Sequence, residues 1–335
     1  MSLNERGNVL IREFLYVDVE KVRSILAQVE GSVPETSTAA ERSVRHGRAD
    51  NKMPHNYESS DESRINKSLA DSLFPSLEES LNAEDLVRDI TDEVKDPEYW
   101  TSGSLRSDNP PGSLIRLTAP GALFDARYVA ASFAGLSASV TGFQGLDSET
   151  PTPTTLPPAV RRRVNKNQNK SKNQTSTSEL EDRIPEFTFS GDGDFNSENL
   201  RSMIKVARGL FTPGLHLNFF PVVNFDYSVS VRLNEGRQYL DSDSEILFAR
   251  YGTQEQEWTL VGSIGHHADE GSSIFDGAGS FTDESGRVVR GRAAKFINRF
   301  LGFMGASGFS DLPQYPGFSV VPLAVYRQIP IGRHS

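Results

Sequence analysis

Two long polar stretches divide this chain of 335 residues and set the strongest limit on how it can fold. Residues 32–62 are rich in Ser, Glu, Arg and Asn without hydrophobic periodicity, and residues 147–185 are a low-complexity run of Pro, Thr, Ser, Asn and Lys. Neither stretch has enough apolar surface to offset the entropy lost on ordering. We therefore expect an N-terminal half at 9–146 with a loop inside it, a linker or insertion at 147–185, and a C-terminal half at 186–330.

Both halves mix strand-like and helical patterns. Residues 14–17 are apolar or aromatic, as in a buried strand, and residues 19–29 then repeat apolar side chains at spacings of three and four. Residues 228–234 alternate between apolar and polar, as in a half-buried strand. The order lacks the steady alternation of a doubly wound fold. The sequence predicts an α+β fold with a mixed or mostly antiparallel sheet and packed helices, and leaves open whether the two halves share one sheet.

Aspartates stand where strand-like text becomes helical. Asp18 and Asp125 occupy such positions, and so does Asp241 or Asp243. A side-chain oxygen at the N-cap accepts hydrogen bonds from the free amides of the first helical turn. The repetition favours helix capping, but a catalytic role stays open for Asp18 and Asp125, with Arg116 as a further candidate.

The stretch "GHHADEGS" supplies the candidate metal ligands His266, His267 and Asp269. Adjacent histidines on an extended backbone point to opposite sides, so we favour a polar strand end over a metal site. Phosphate-binding, dinucleotide and nucleophile-elbow motifs are missing from the sequence. The chain has no cysteine, which excludes thiolate nucleophiles and cysteine-containing metal sites. We predict no cofactor.

The charge of the chain argues against general affinity for nucleic acid. The net charge is -10, so any binding to phosphate-rich partners requires a local basic patch. One basic run contains the candidate nucleic-acid contacts Arg161, Arg162, Arg163 and Lys166. It has no interleaved aromatic residues for stacking on bases. We favour solvation of the linker, or docking on the acidic residues 78–98, as its role.

A second basic segment, residues 288–304, has helical periodicity. It combines cationic and apolar side chains, namely Arg290, Arg292, Lys295, Arg299, Phe296, Phe300, Leu301 and Phe303. We favour a helix that packs Phe296, Ile297, Phe300 and Leu301 into the core. A membrane-surface or anion-binding helix has the same pattern and is the alternative.

The cellular location is predicted from targeting and membrane-spanning patterns that the sequence lacks. The N-terminal residues have no signal-peptide pattern, and no stretch approaches the roughly 20 apolar residues of a membrane span. Together with the missing cysteines, this predicts a cytoplasmic protein without a membrane span. The oligomeric state is open.

Several short motifs resemble a known family. They are "REFLYVD", "VRSILAQVEG", "GSLIRLTAPGALFD", "YLDSDSEILFARYG", "EWTLVGSIG" and "VVPLAVYR". Together they are similar to an uncharacterised bacterial family catalogued as a domain of unknown function, with an R-E-F-x-Y-x-D strand at its start and a P-L-A-I-Y-R-like strand at its end. The resemblance implies a bacterial cytoplasmic protein with the family's shared architecture, and it carries no catalytic residues to transfer.

Two functions from different classes follow. The first is a binding or regulatory module that recognises a partner protein or small ligand, with a link to defence or stress response suggested only by the resemblance. The second is a hydrolase or transferase acting on a nucleotide or nucleic acid, with Asp18, Asp125, Arg116 or the pair His266 and His267 brought together by folding. Whether the chain is an enzyme stays open.

Overall fold

The computed structural model describes residues 11–31, 73–147, 184, 188–189, 195–236, 238–270 and 283–329. Its helices are α1 (Val19–Glu30), α2 (73–83), α3 (Pro97–Thr101), α4 (Ser104–Asp108), α5 (Ala126–Asp147), α6 (Ser197–Leu210), α7 (Ser244–Tyr251) and α8 (Arg290–Ala306). Its strands are β1 (Arg12–Val17), β2 (Arg88–Asp89), β3 (Leu114–Phe124), β4 (Thr188–Phe189), β5 (Phe195–Asn196), β6 (Leu215–Phe219), β7 (Val229–Leu233), β8 (Gln256–His267) and β9 (Phe318–Gln328). The predicted α+β class with a mixed sheet is confirmed.

Five strands close a ring of hydrogen bonds. Strand β3 pairs antiparallel with β6 and β8, β6 pairs antiparallel with β7, β7 pairs parallel with β9, and β9 returns antiparallel to β8. Each of the five therefore has two partners within the ring, which makes it a small barrel. Strand β1 extends the sheet from β9, and β2 extends it from β3.

The two long strands β3 and β9 change partners along their length. Residues 114–121 of β3 pair with β8, whereas residues 121–124 pair with β6. Residues 318–320 of β9 pair with β7, and residues 324–328 pair with β1. This stagger lets short strands complete the barrel. Alternate side chains of β3, including the fully buried Ile115 and Leu117, face away from solvent as the two-residue period of a strand requires.

Helices α1 and α2 pack with strands β1, β8 and β9 in one hydrophobic cluster. Val22 and Leu26 of α1 lie one helical turn apart on the buried face, and Phe74 and Leu77 of α2 join them. Helix α1 ends at Gly31, whose φ of 69° places it in the left-handed region that glycine adopts without strain. These helices cover one face of the sheet.

The described chain separates into two compact units, one formed by Met1–Phe124 with Gly214–Ser335 and the other by Asp125–Pro213. The second unit is inserted between β3 and β6 and has its own small core of Ala130, Ile184, Leu200 and Ile204. Its helix α6 begins after Asn196, whose side chain accepts a hydrogen bond from the Asn199 amide at 2.9 Å. Most of the predicted linker at 147–185 and the whole loop at 32–62 lie outside the described residues.

None of the helices in the described ranges is both long enough and apolar enough to cross a bilayer.

Candidate functional site

Asp18 caps helix α1, as the sequence predicted. Its Oδ1 accepts a hydrogen bond from the Lys21 amide at 3.1 Å, and its Oδ2 lies 2.8 Å from the Lys21 ammonium group. The residue is buried, and the hydroxyl of Tyr16 lies 3.5 Å from Oδ2. Burial, followed by the charge of Asp18, raises the pKa of Tyr16 above its ordinary value. The Asp18 carboxylate is therefore engaged by the helix that it starts.

Asp125 makes the corresponding contacts at the start of α5. Its Oδ1 accepts the Arg127 amide at 2.8 Å, and its Oδ2 lies 2.7 Å from Nη2 of the same arginine. At the third predicted cap, Asp243 has the N-cap position of α7 but makes no side-chain capping bond, while Asp241 forms an ion pair with Arg250. Capping by the side chain thus holds for Asp18 and Asp125.

Arg116 joins a buried ionic cluster around Glu78 of α2. Its Nε and Nη2 donate to Glu78 Oε1 at 3.1 and 2.8 Å, and Arg12 of β1 lies 2.6 Å from the other carboxylate oxygen. The hydroxyl of Tyr326 donates to Oε1 at 3.1 Å. Glu78 is only 5% exposed, so its charge is neutralised almost entirely by these two guanidinium groups.

This Glu78 cluster, which comprises Glu78, Arg12, Arg116 and Tyr326, fixes α2 to three strands. The guanidinium of Arg12 also lies 4.8 Å from the ring centre of Tyr326, a cation–π contact. Burial, with the nearby Glu78 carboxylate, raises the pKa of Tyr326 to about 12, so the phenol stays a hydrogen-bond donor at neutral pH. Both carboxylate oxygens have partners, and the arrangement is that of a structural clamp.

The adjacent histidines point to opposite sides of β8, as expected for an extended backbone. His267 is buried, its Nε2 lies 2.7 Å from the Asn109 carbonyl, and its ring lies against Phe318. Burial lowers the pKa of His267, and this outweighs the bond to Asn109, which raises it. The imidazole is therefore a neutral donor at pH 7. His266 is exposed.

A cleft of about 570 Å³ lies between the end of β8 and helix α8. One wall contains His266, Ala268 and Asp269, which leave the strand together. The other wall is a stripe of α8 with the helical spacing of three, four and seven, made of Lys295, Asn298, Arg299 and Gly302. Apolar lining comes from Leu301, Ala306, Leu312 and Pro313.

The described lining of the cleft has two cationic side chains and one carboxylate, although the chain as a whole is acidic. Its one lining carboxylate, Asp269, lies 2.7 Å from Nη2 of Arg106, which balances its charge. The same Arg106 donates to the carbonyls of His267 and Ala268 at 3.1 Å each and so fixes this end of β8. Lys295 and Arg299 are the cationic side chains of the other wall. An anion entering the cleft therefore meets two cationic side chains on the wall formed by α8.

The closed end of the cleft depends on a glycine. Gly305 is buried, and a Cβ at this position would lie 2.9 Å from both Cβ and Cδ1 of Leu312. The chain after α8 can pack back against the helix only because position 305 has no side chain. Leu312 and Pro313 thereby become part of the lining.

The expectation that α8 packs its apolar residues into the core is wrong. Ile297 is 55% exposed, Leu301 48% and Phe300 44%, and Phe296 is only partly buried. The helix instead turns its polar stripe towards the cleft. The core of the barrel is filled by side chains of the strands themselves, among them Leu117, Leu217, Val231 and Leu260.

The structure brings together only some of the residues that the sequence singled out. Asp18, Asp125 and Arg116 each bond to a separate local partner, while His266 and Asp269 meet in the cleft. Among residues whose placement is described, no three His, Cys, Asp or Glu side chains form a group that could hold a metal ion. The basic run Arg161, Arg162, Arg163 and Lys166 lies outside the described residues, so its nucleic-acid role stays a prediction.

Sequence reasoning missed Glu78 and Arg12. It named Lys295 and Arg299 only in the alternative of a membrane-surface or anion-binding helix, and it did not join them with Asn298 in one site. The signal for the second group was present, because positions 295, 298, 299 and 302 form one helical face with two cations. The role of Glu78 could not be predicted in this way. It is one of many acidic residues in its segment, and its contacts with two arginines form only when the chain folds.

Comparison with known proteins gives one match. A family model described as a domain of unknown function, DUF6414, matches residues 11–326. No curated protein and no solved structure matches the chain significantly. The resemblance to a domain-of-unknown-function family is confirmed, whereas the bacterial origin stays a prediction.

Proposed function

The chain belongs to the DUF6414 family, whose function is unknown, and we propose that it is a binding or regulatory module for a small phosphate-bearing ligand. The observation that carries this proposal is the stripe of Lys295, Asn298 and Arg299 facing His266 across the cleft. Arginine and lysine form charge-assisted hydrogen bonds with phosphate oxygens, and an asparagine amide adds a neutral donor. Several donors from one helical face suit an anion with more than one oxygen.

The size and apolar lining of the cleft favour a ligand larger than inorganic phosphate. A volume of about 570 Å³ falls in the range of small-molecule sites, roughly 300–1,000 Å³. Leu301, Leu312 and Pro313 offer apolar contacts for a ring or hydrocarbon part of the ligand. A phosphorylated molecule of about mononucleotide size satisfies both the cationic and the apolar lining.

The barrel supports the position of the site by analogy. Its ring order, β3, β6, β7, β9 and β8, with β7 and β9 parallel, follows the connectivity of the five-stranded OB barrel. In that fold the loops after the first and fourth strands contribute to ligand binding. The fourth ring strand along this chain is β8, and the connection that follows it carries α8 and the cleft. Fold alone does not fix function, so the side chains carry the argument.

A binding role is favoured over catalysis because the cleft lacks a described catalytic pair. Among the described lining residues, His266 has a side chain of the kind used in general acid–base catalysis, and the carboxylate of Asp269 is held by Arg106. The alternative, a hydrolase or transferase acting on a nucleotide, would use His266 in this same cleft. Conversion of a bound nucleotide into a product would support that alternative.

The proposal is tested by titrating the full chain with nucleoside monophosphates and diphosphates, sugar phosphates and their unphosphorylated counterparts, using calorimetry. We expect saturable binding of a phosphorylated compound and none of its unphosphorylated counterpart. Lys295→Ala should weaken this binding about tenfold or more, because it removes a charge-assisted contact. The matched control is Arg290→Ala, which removes one positive charge from the same helix outside the cleft lining.

Two outcomes would overturn the proposal. One is a panel in which phosphorylated and unphosphorylated compounds bind equally or not at all. The other is an equal loss of affinity in Lys295→Ala and Arg290→Ala, which would show that the effect comes from the overall charge of the helix. We place this activity in the cytoplasm, supported by the absence of cysteine.

A further inference from the structure

The lining of the cleft contains a carboxylate that would repel an anionic ligand. Asp269 lies just after β8, lines the cleft beside His266, and has a side chain that is 71% exposed. A carboxylate at a site for phosphate lowers the affinity for the anion unless a fixed cation neutralises it. The cation that pairs with Asp269 therefore decides which ligand charge this wall of the cleft accepts.

Arg106 of α4 supplies this cation from outside the described lining. Its Nη2 lies 2.7 Å from Asp269 Oδ1 and donates to the carbonyls of His267 and Ala268 at 3.1 Å each. One nitrogen thus contacts three consecutive residues, 161 to 163 positions further along the chain. An exposed ion pair is weak when both side chains are mobile, but here the two backbone carbonyls hold the guanidinium beside the carboxylate.

The chain after α4 is also fixed to β8. The carbonyl of Asn109 lies 2.7 Å from Nε2 of His267. The amide of Gly112 donates to the carbonyl of Ile264 at 2.7 Å. Arg106 and the wall of the cleft therefore belong to one hydrogen-bonded unit, which keeps the positive charge at a constant place relative to Asp269.

We infer that Arg106 sets the charge selectivity of the cleft by neutralising Asp269. The inference rests on the proposed function, since it assigns to Arg106 the selection of the phosphate group of the ligand. Arg106 acts through Asp269 and is in this sense a positioning residue. Without it, the carboxylate would face the ligand without its counter-charge, and the cleft would discriminate less between an anion and its uncharged counterpart.

Calorimetric titration of the full chain with inorganic pyrophosphate tests the inference, because this probe has negative charge and no apolar part. Arg106→Ala should weaken binding about fivefold, since the carboxylate of Asp269 then repels the probe. Arg106→Ala combined with Asp269→Asn should bind within about twofold of the unmodified chain, because the repelling charge is removed as well. Arg106→Lys keeps the positive charge and should retain most of the affinity.

The matched control is Arg88→Ala. The Arg88 side chain is 42% exposed, against 52% for Arg106, and it pairs at 3.3 Å with Glu93, which is not part of the described lining. This variant should bind pyrophosphate like the unmodified chain. Circular dichroism of each variant checks the fold.

Salt provides a second readout that a merely structural role of Arg106 would not change. Dissolved ions screen the repulsion by Asp269, so the loss of affinity in Arg106→Ala, relative to the unmodified chain, should shrink between about 50 mM and 500 mM NaCl. A loss caused by a distorted cleft would be the same at both concentrations.

The inference is overturned if Arg106→Ala binds pyrophosphate as tightly as the unmodified chain, if Asp269→Asn does not restore the affinity, or if the loss does not depend on salt. These three results leave the proposed binding of a phosphorylated ligand standing. The inference also fails if the unmodified chain does not bind pyrophosphate, because a cleft selective for anions must accept this one. The proposed function is then decided by the panel of phosphorylated compounds alone.

Discussion

Glu78 and Arg116 are joined by two hydrogen bonds, from Nε at 3.1 Å and from Nη2 at 2.8 Å, to a single carboxylate oxygen. With Arg12 on the other oxygen, the pair links α2 to strands β1 and β3. Arg12 and Arg116 both have this buried carboxylate as their nearest described counter-charge, and Arg116 has a further, longer contact of 3.8 Å with Asp89. Removal of the Glu78 charge is therefore expected to destabilise the fold strongly.

Glu78→Gln should lower the free energy of unfolding by about 3–5 kcal/mol, because it removes the nearest counter-charge of two partly buried arginines, Arg12 and Arg116. Urea unfolding at neutral pH measures this. The control is Glu79→Gln on the same helix, where the carboxylate is exposed, with an expected change of less than about 0.5 kcal/mol. Equal changes for the two variants would show that the cluster does not stabilise the fold.

Asp18→Ala should lower the free energy of unfolding by about 1 kcal/mol, since the Lys21 amide loses its acceptor. Asp18→Ser should retain most of that stability, because a hydroxyl oxygen can accept the same bond. Chemical denaturation of the two variants compares them directly. If Asp18→Ser proves as unstable as Asp18→Ala, the contact with Tyr16 or the ion pair with Lys21 matters more than the cap.

His267 predicts a pH dependence with a defined sign. Burial places its pKa in the folded chain below the ordinary value of 6.5. As the pH falls through 6.5, the unfolded chain therefore binds a proton that the folded chain resists, and stability decreases. His267→Gln should lose less stability than the unmodified chain between about pH 7 and pH 5. Unfolding curves above pH 7.5 provide the reference, where the two slopes should agree.

A side chain at position 262 of β8 is expected to clash with β9. A Cβ at this position would lie 2.5 Å from the Val321 carbonyl oxygen and 2.8 Å from Cγ1 of Val320. The register of β8 with β9 shifts between Val261 and Gly262, so the close approach belongs to an irregular point of the ladder. Gly262→Ala should cost about 1–3 kcal/mol of unfolding free energy.

The control for this change is Gly291→Ala in α8, where no heavy atom lies within 4 Å of the added Cβ. Alanine favours helix over glycine by up to about 1 kcal/mol, so this variant should be neutral or more stable. Thermal unfolding of both variants under one condition decides the prediction, and a Gly262→Ala variant as stable as Gly291→Ala would refute it.

Local patterns predicted the elements well because each depends on neighbours in the sequence. The alternation around Val229 to Leu233 and the helical spacing after Asp18 reflect backbone geometry alone. Closure of the barrel was not predictable in this way, since the parallel pairing of β7 with β9 joins residues about 90 positions apart. No local pattern encodes such a partner.

The candidate site, too, could be predicted from the sequence only in part. The helical period of residues 288–304 predicted α8, but periodicity does not say which face of an amphipathic helix meets the protein. The sequence favoured burial of Phe300, while the strands fill the barrel core and leave Phe300 exposed. The pairing of His266 with the stripe of Lys295 and Arg299 likewise depends on how the chain after β8 turns back, which tertiary packing decides.

The proposal that the cleft binds a phosphorylated ligand is tested most directly by filling the cleft. Gly302 lines it and has no heavy atom within 4 Å of an added Cβ, so Gly302→Phe should fold normally and occupy the ligand's volume. In calorimetric titration with a phosphorylated ligand that binds the unmodified chain, we predict that Gly302→Phe abolishes the binding heat. Unchanged affinity in a folded Gly302→Phe variant would contradict the assignment of this cleft as the binding site.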